Sequence, residues 1–373
     1  MSIEPPPVES VPAERPPAES VPSAPARRAR YRTGKDDLDA AVLALVEQAG
    51  VRRDADLVFE MVVSALRMGR EAVDRGDLKL VNSALKELRY SFLVFEPYEH
   101  IRKVAIFGSA RTAHDDPSYG LARDFGAAIA DQGWMVITGA GPGIMEAGIE
   151  GAGADRAFGV NIVLPFEADA SPLLAGDRKL INYRYFFTRK LTFMKESSAS
   201  VLLPGGFGTM DEAFELLTLI QTGRSPIEPV VLLEPPGDGY WTGWRHFIER
   251  DLAHRGLIAA EDLNLVRICS TVNEAVAEIT RFYSVFHSQR YVGRRLVFRL
   301  EHELSDATLA ALNHEFADVV VRGAIERTGP SAGEIDDDDV PHLPRIAFHF
   351  NRRHYARLRL LVDRINSSFD ATA

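Results

Sequence analysis

The spacing of apolar residues divides the chain into four regions. Residues 36–100 carry apolar residues three and four positions apart, which predicts a layer of helices. Residues 101–288 alternate short apolar runs with helical patterns, which predicts an α/β domain with a doubly wound parallel sheet. Residues 289–373 follow the order strand, helix, strand, strand, helix, which predicts a small α+β domain. Residues 1–35 are rich in proline and poor in apolar residues, so we expect a disordered arm.

Short apolar runs in the central region predict buried strands, and three of them end in glycine-bearing turns. The strand runs are KVAIF (103–107), WMVIT (134–138), AFGVNIVLP (157–165), VLL (201–203) and PVVLLE (229–234). Helical patterns cover about 118–132, 240–254 and 272–287. Because an open parallel sheet binds its ligand at the carboxyl ends of the strands, the three turns predict a nucleotide site on one edge. Taken singly, each turn is also typical of an ordinary strand-to-helix connection. The candidate residues in the first two turns and the helix start after them are Gly108, Ser109, Gly141, Gly143 and Glu146.

The third turn lies in residues 201–215, which read VLLPGGFGTMDEAFE. Gly205, Gly206 and Gly208 permit backbone angles and close approaches that a side chain would forbid. The helical pattern begins at Thr209, whose hydroxyl can add a hydrogen bond. Backbone amides and the positive end of a helix dipole then converge on one spot, which suits a phosphate group.

Two carboxylates follow this turn, at Asp211 and Glu212. With a nucleoside 5′-monophosphate held by its phosphate, such a carboxylate would lie near the ribose. Cleavage of an N-glycosidic bond passes through an oxocarbenium-like state, which a carboxylate can stabilise while it positions a water. We favour Glu212 because its longer side chain can reach back over the loop. The alternative is that both acids only complement the helix dipole.

Further candidates lie on the helix that precedes this strand and on an earlier helix. Arg189 could clamp a phosphate or sugar, or assist the departing base, and Lys190 follows it. The alternative is a basic pair on the surface. The aromatic residues in 183–187 could stack on a base, or pack in the core. Glu146 could face the same edge, or pair with the dipole of its helix.

The sequence matches poorly the motifs of several other kinds of site. The glycines do not follow the GxGxxG dinucleotide fingerprint, and no GxxxxGK[ST] motif is present, so a mononucleotide fits better than NAD or an ATPase function. His114, His246 and His254 share no metal-ligand spacing. Ser109 is not in a G-x-S-x-G elbow. The aspartates at 336–339 could bind a cation, but we favour a solvated loop.

Charge, cysteine content and hydropathy limit the expected partners and the cellular compartment of the protein. The formal net charge of −10 argues against nucleic acid as a main partner. The single cysteine, Cys269, excludes an internal disulfide and fits a reducing cytoplasm. No apolar run is long enough for a membrane helix, so we expect a cytoplasmic protein without a membrane partner.

The segments GAGPGIMEA, FFTRKLTFM and PGGFGTMDE together resemble the signatures of the Lonely Guy (LOG) family of cytokinin-riboside-monophosphate phosphoribohydrolases, over about residues 101–287. The resemblance implies a Rossmann-like fold and a homodimer or higher homo-oligomer. It also implies hydrolysis of nucleoside 5′-monophosphates to a free base and ribose 5-phosphate, with no metal and no other cofactor. Family members are often labelled lysine decarboxylases, but the sequence has no lysine motif for a pyridoxal phosphate Schiff base.

The resemblance also implies roles for individual residues. Arg189 and Glu212 would be catalytic, and Lys190 would neighbour the substrate. The phosphate would be held by Gly205, Gly206, Gly208 and Thr209. Glu167, in LPFE, resembles a substrate-contacting acid of the longer bacterial members.

The regions that flank the central domain resemble larger bacterial nucleotide nucleosidases more than compact plant enzymes. The base is therefore left open between AMP, other purine or pyrimidine monophosphates, and N6-modified adenine nucleotides. The alternative function is a non-catalytic nucleotide or cofactor carrier on the same fold.

Overall fold

The computed structural model describes residues 31–163 and 171–370, and the chain divides into two compact units, 1–80 and 81–373. Most of the predicted arm, together with Glu167, lies outside the described residues. At the described end of that arm, the Thr33 amide donates to a carboxylate oxygen of Asp39 at 2.9 Å. The predicted domain boundaries stay predictions.

The first unit is helical, as its apolar spacing predicts. It contains α1 (Asp36–Gln48), α2 (Ala55–Arg70) and the start of α3 (Arg75–Phe95). Its buried core is formed by side chains four residues apart on α1 and α2, which is the spacing that places them on one helix face. These core residues are Val42, Val46, Phe59 and Val63.

The second unit is built on a parallel sheet of seven strands. The strands are β1 (Lys103–Phe107), β2 (Met135–Thr138), β3 (Ala157–Ile162), β4 (Leu180–Tyr183), β5 (Ala199–Leu202), β6 (Val230–Leu233) and β7 (Val266–Cys269). The helices are α4 (Pro117–Asp131), α5 (Ile144–Ala152), α6 (Phe186–Glu196), α7 (Phe207–Gln221), α8 (Tyr240–Phe247) and α9 (Val272–Phe282). Apolar clusters cover both faces of the sheet, so the predicted Rossmann-like α/β fold is confirmed.

The order of the strands fixes where a ligand can bind. It is β4-β3-β2-β1-β5-β6-β7, so the chain runs outward from β1 in one direction and from β5 in the other. The switch point lies between β1 and β5, and open α/β sheets bind ligands in the crevice at the carboxyl ends of such strands. The turns after β1 and β5 therefore flank the switch point, and the turn after β2 lies one strand away on the same edge.

Two edge strands were not predicted. The five predicted strands of the central sheet are confirmed as β1, β2, β3, β5 and β6, with small shifts at their ends. The outermost strands β4 and β7 have no continuous apolar run, because one side of each is exposed. The helix predicted over 272–287 ends at Phe282, and a new strand begins at Phe286.

That strand enlarges the C-terminal sheet beyond the prediction. The elements are β8 (Phe286–Val292), β9 (Arg295–Leu300), α10 (Asp306–Glu315), β10 (Val320–Thr328), α11 (Ala332–Asp336), β11 (Arg345–Phe350) and α12 (Tyr355–Asp370). The antiparallel order is β10-β11-β9-β8. The predicted α+β character is confirmed, whereas the predicted element order lacked β8 and the short α11.

In the acidic segment before β11, the aspartates at 336–338 are exposed, as a solvated loop requires, whereas Asp339 and the nearby Glu334 pair with arginines. Glu334 is buried and accepts hydrogen bonds from Arg299 at 2.9 and 3.1 Å, and it also pairs with Arg345. Asp339 pairs with Arg290 at 2.7 Å and with Arg299. Arginine side chains therefore neutralise these two acids.

Among the described residues, no group of three or more His, Cys, Asp or Glu side chains is placed to hold a metal ion. In the same residues, no helix is long and apolar enough to cross a membrane.

Candidate active site

Two backbone hydrogen bonds join the three glycine-bearing turns. The Ser109 amide donates to the carbonyl oxygen of Pro204 at 3.2 Å, which links the turns after β1 and β5. The Ile144 amide donates to the carbonyl oxygen of Ser109 at 3.1 Å, which brings in the turn after β2. A Cβ atom on Gly143 would lie 2.4 Å from that same oxygen, and one on Gly108 would lie 2.5 Å from Ile144 Cγ2. The predicted meeting of the three turns on one edge is confirmed, and two of their glycines are needed for it.

The helix after the third turn starts earlier than predicted. α7 begins at Phe207 with Gly206 as its N-cap, and the amides of its first turn have no partner within the helix. Thr209 is buried, and a Cβ atom on Gly205 would lie 2.1 Å from its hydroxyl oxygen. Among the described residues, a Cβ atom added at Gly206 or Gly208 would meet no atom within 4 Å, so their packing does not require glycine at either position. This open helix start can receive an anion.

Glu212 lies one turn into the same helix and is only 7 % exposed. Within the described parts of the chain, its Oε2 atom has no hydrogen-bond partner, although the Lys190 ammonium lies 3.5 Å away. Burial raises the pKa of Glu212 above its usual value, while the charges of Lys190 and Arg189 act in the opposite direction. A buried carboxylate with an unsatisfied oxygen can accept a proton or stabilise a positive charge.

Lys190 has three carboxylates around its ammonium. Asp211 lies at 2.9 Å, Glu212 at 3.5 Å, and Glu215 forms a hydrogen bond with it. Desolvation lowers the pKa of Lys190, but the hydrogen bonds to Glu215 and Asp211 outweigh it and raise that pKa. A Schiff base needs a neutral amine, so this protonated lysine does not fit pyridoxal phosphate chemistry.

Arg189 is held at the carboxyl ends of β2 and β3. Its Nε atom donates to the carbonyl oxygen of Val160 at 2.9 Å, and its guanidinium lies 5.5 Å from the ring centroid of Phe193. A Cβ atom on Gly139 would lie 2.5 Å from Nη2 of Arg189. Gly139 was within a predicted turn, but it was not predicted as a site residue. Its local signal is only a glycine after a strand, and the need for it becomes visible once α6 brings Arg189 beside it.

The remaining candidate residues differ in their surroundings and in their exposure. Glu146 lies in the first turn of α5, with its Oε2 atom 3.8 Å from Nε2 of His114. Gly141 faces Met145, whose Cε atom would lie 2.7 Å from an added Cβ. Tyr183 is a buried core residue, whereas Phe187 is half exposed.

Known proteins resemble the central domain. Residues 142–279 match the family model described as "Possible lysine decarboxylase". A Mycobacterium tuberculosis protein named cytokinin riboside 5′-monophosphate phosphoribohydrolase is 27 % identical over 181 residues, covering 46 % of this chain and 90 % of the relative. An Oryza sativa subsp. japonica protein, named as a probable enzyme of the same activity, is 26 % identical over 187 residues, covering 48 % of this chain and 72 % of the relative.

Among solved structures, the molybdenum cofactor binding protein from Rippkaea orientalis aligns with 48 % of this chain and 96 % of its own, at 22 % identity and a TM-score of 0.33. The sequence relatives and the motifs that the fold brings to one edge point to the same family. Over its central domain, this chain is similar to the LOG family.

Proposed function

We propose that this protein hydrolyses the N-glycosidic bond of nucleoside 5′-monophosphates, releasing the free base and ribose 5-phosphate. The observation that carries the proposal is the buried Glu212 carboxylate, with its unsatisfied oxygen, one turn from an open helix start. The names of the sequence relatives support the same reaction class.

In the proposed complex, the phosphate lies on the first-turn amides of α7 and the Thr209 hydroxyl. The glycines at 205, 206 and 208 allow the backbone to approach it closely. Glu212, one turn further along, then faces the ribose. Gly108, Ser109, Gly141 and Gly143 form the neighbouring wall of the crevice, with Glu146 beside it. These roles are proposals that follow from the joined turns.

The proposed reaction replaces the bond between C1′ and the base with a bond between C1′ and a water oxygen. Positive charge develops on the ribose as the base departs with the bonding electron pair, and the Glu212 carboxylate stabilises it. The same carboxylate accepts the proton that the attacking water loses and then passes it to the departed base, so that the products are the neutral free base and ribose 5-phosphate. Arg189 hydrogen-bonds the phosphate or the departing base. No step requires a metal or a cofactor.

The test is a panel of nucleoside 5′-monophosphates incubated with purified protein and separated by chromatography. The panel contains AMP, other purine and pyrimidine monophosphates, and N6-modified adenine nucleotides. Release of free base with an equal amount of ribose 5-phosphate supports the proposal and identifies the base. Tight binding of a nucleotide without release of base would instead identify a carrier.

We also propose that the protein forms a homodimer or a higher homo-oligomer. Apolar side chains on α6 and α7 remain exposed in the single chain, and burying them against a second copy would be favourable. These are Phe186, Phe187, Leu191, Phe207 and Phe214, and Phe207 is 97 % exposed. Light scattering after size-exclusion chromatography tests this. A mass of one chain at micromolar concentration would contradict the proposal.

A further inference from the structure

The start of α6, the helix that carries Arg189 and Lys190, is capped from another element. Glu87, on α3, accepts a hydrogen bond from the Arg184 amide at 3.0 Å and another from the Thr188 hydroxyl at 2.6 Å. The N-cap residue of α6, Tyr185, makes no side-chain capping bond, and the first turn of α6 contains no acid. Glu87 therefore supplies the carboxylate that the positive end of this helix otherwise lacks.

A second contact lies one helical turn further along both helices. Ser91 of α3 and Thr192 of α6 are buried, and their hydroxyl oxygens are 3.3 Å apart. The Tyr183 hydroxyl lies 2.8 Å from each of them. Residues four apart share a helix face, so Glu87 and Ser91 form one polar edge that faces Thr188 and Thr192.

These contacts bear directly on the candidate catalytic arginine. Thr188 is fully buried, and Arg189 is the next residue along the chain. The guanidinium of Arg189 has little freedom at its far end, where it passes over Gly139 and donates to Val160. A shift in the start of α6 would therefore move the guanidinium away from these two anchors.

We propose that Glu87 is a positioning residue for Arg189, acting through Thr188 and the Arg184 amide to fix the start of α6. The inference rests on the proposed function for its catalytic consequence. It gives a role in the site to α3, a helix that precedes the first strand of the LOG-like region. Displacement of a reacting group by about 1 Å can reduce a rate about a hundredfold.

The test compares Glu87→Ala with Glu87→Gln in the full-length chain. We expect kcat for base release from AMP to fall about ten- to a hundredfold in Glu87→Ala. Glu87→Gln should retain most of the rate, because an amide can accept from Arg184 and donate to Thr188. Lys86→Ala and Arg89→Ala, at exposed positions on the same helix, are the matched controls. We expect wild-type rates from both.

Two further readouts separate positioning from loss of folding. In an Arg189→Ala background, Glu87→Ala should cost no additional rate, because the group that it positions is gone. Amide hydrogen exchange over residues 184–190 should be faster in Glu87→Ala than in the control variants. A wild-type kcat in Glu87→Ala, a full additional loss in the Arg189→Ala background, or unchanged exchange would each overturn the inference.

If the wild-type protein releases no base from any nucleotide, the proposed function fails. The exchange comparison then still decides whether Glu87 holds the start of α6.

Discussion

The Lys190 ammonium lies 3.5 Å from the Oε2 atom of Glu212 and joins two of the three sequence motifs that carry the family resemblance. Lys190 comes from the start of α6 and Glu212 from the first turns of α7. The lysine also contacts Asp211 and Glu215, so it neutralises part of a cluster of three acids. Its position favours the ionised form of Glu212 in a place where burial alone would favour the protonated form.

The first prediction concerns the pH dependence of base release. Glu212 acts as a carboxylate in the proposed reaction, so the rate should fall as the pH drops through its pKa. Burial raises that pKa, so the acidic limb should lie above the ordinary value of 4.5. In Lys190→Gln, a charge that lowers the pKa of Glu212 is lost, and the limb should move to higher pH. Rates measured across the acidic range for both proteins test this.

The control for this prediction is Lys195→Gln, which removes a lysine further along the same helix that pairs with Glu196. We expect its acidic limb to match that of the wild type. An acidic limb at the same pH in Lys190→Gln and the wild type would show that Lys190 does not set the charge of Glu212.

The second prediction concerns Gly139. In Gly139→Ala, the new methyl group would lie 2.5 Å from Nη2 of Arg189 and 2.6 Å from Sδ of Met145, so the guanidinium must shift. We expect kcat to fall about ten- to a hundredfold while the protein stays folded. Gly120→Ala is the matched control, because no atom in the described part of the chain lies within 4 Å of its new methyl group. Equal rates in the two variants would contradict the placement of Arg189.

The third prediction separates glycines needed for folding from a glycine needed for the ligand. Gly205→Ala would collide with Thr209, so its thermal midpoint should fall. Gly208→Ala meets no atom of residues 31–163 and 171–370 within 4 Å, so its midpoint should stay near that of the wild type. Its added methyl group would occupy space that the proposed phosphate needs, so the KM for AMP should rise at least about tenfold. A wild-type KM in Gly208→Ala would place the phosphate elsewhere.

The central sheet could be predicted where its strands are buried on both faces. The run KVAIF coincides with β1 because every residue of that strand is buried. β4 and β7 could not be predicted in this way, because Asn182 and Arg267 face solvent at the edges of the sheet. β8 could not be predicted for a similar reason, because Phe286 is its one fully buried residue and the strand has no continuous apolar run.

The site could be predicted only in part from the sequence. The glycine turns and Glu212 have local signals, and the topology brings them together. The sequence also indicates the contact between Lys190 and Glu215. Glu215 lies four residues after Asp211 and three after Glu212, so a lysine that pairs with those acids can also reach Glu215. The contacts of Arg189 with Val160 and of Glu87 with Thr188 join residues 29 and 101 positions apart. A backbone carbonyl or a single surface glutamate carries no pattern that would reveal such a partner.

The fourth prediction concerns a buried acid outside the site. Burial raises the pKa of Glu228 from 4.5 to about 8, and the Ser200 hydroxyl donates to it at 2.8 Å. The folded state therefore keeps a proton that the unfolded state loses. The stability from this group is present below about pH 4.5 and is lost as the pH rises through about 8.

The measurement is the free energy of unfolding in urea at several pH values between those limits. Relative to Glu228→Gln, the wild type should lose up to about 1.4 kcal/mol per pH unit. Glu261→Gln changes an exposed acid and should follow the wild type. A constant difference between wild type and Glu228→Gln across this range would show that Glu228 does not hold the proton.

The central claim is that the Glu212 carboxylate performs the hydrolysis. The most direct measurement compares wild type and Glu212→Gln for both AMP binding and release of adenine. The amide keeps the size of the side chain, but it cannot take up a proton from water or offset positive charge on the ribose. The account predicts that Glu212→Gln binds AMP with nearly the wild-type Kd and loses about 10²- to 10⁴-fold in kcat. A wild-type rate of adenine release from Glu212→Gln would contradict it.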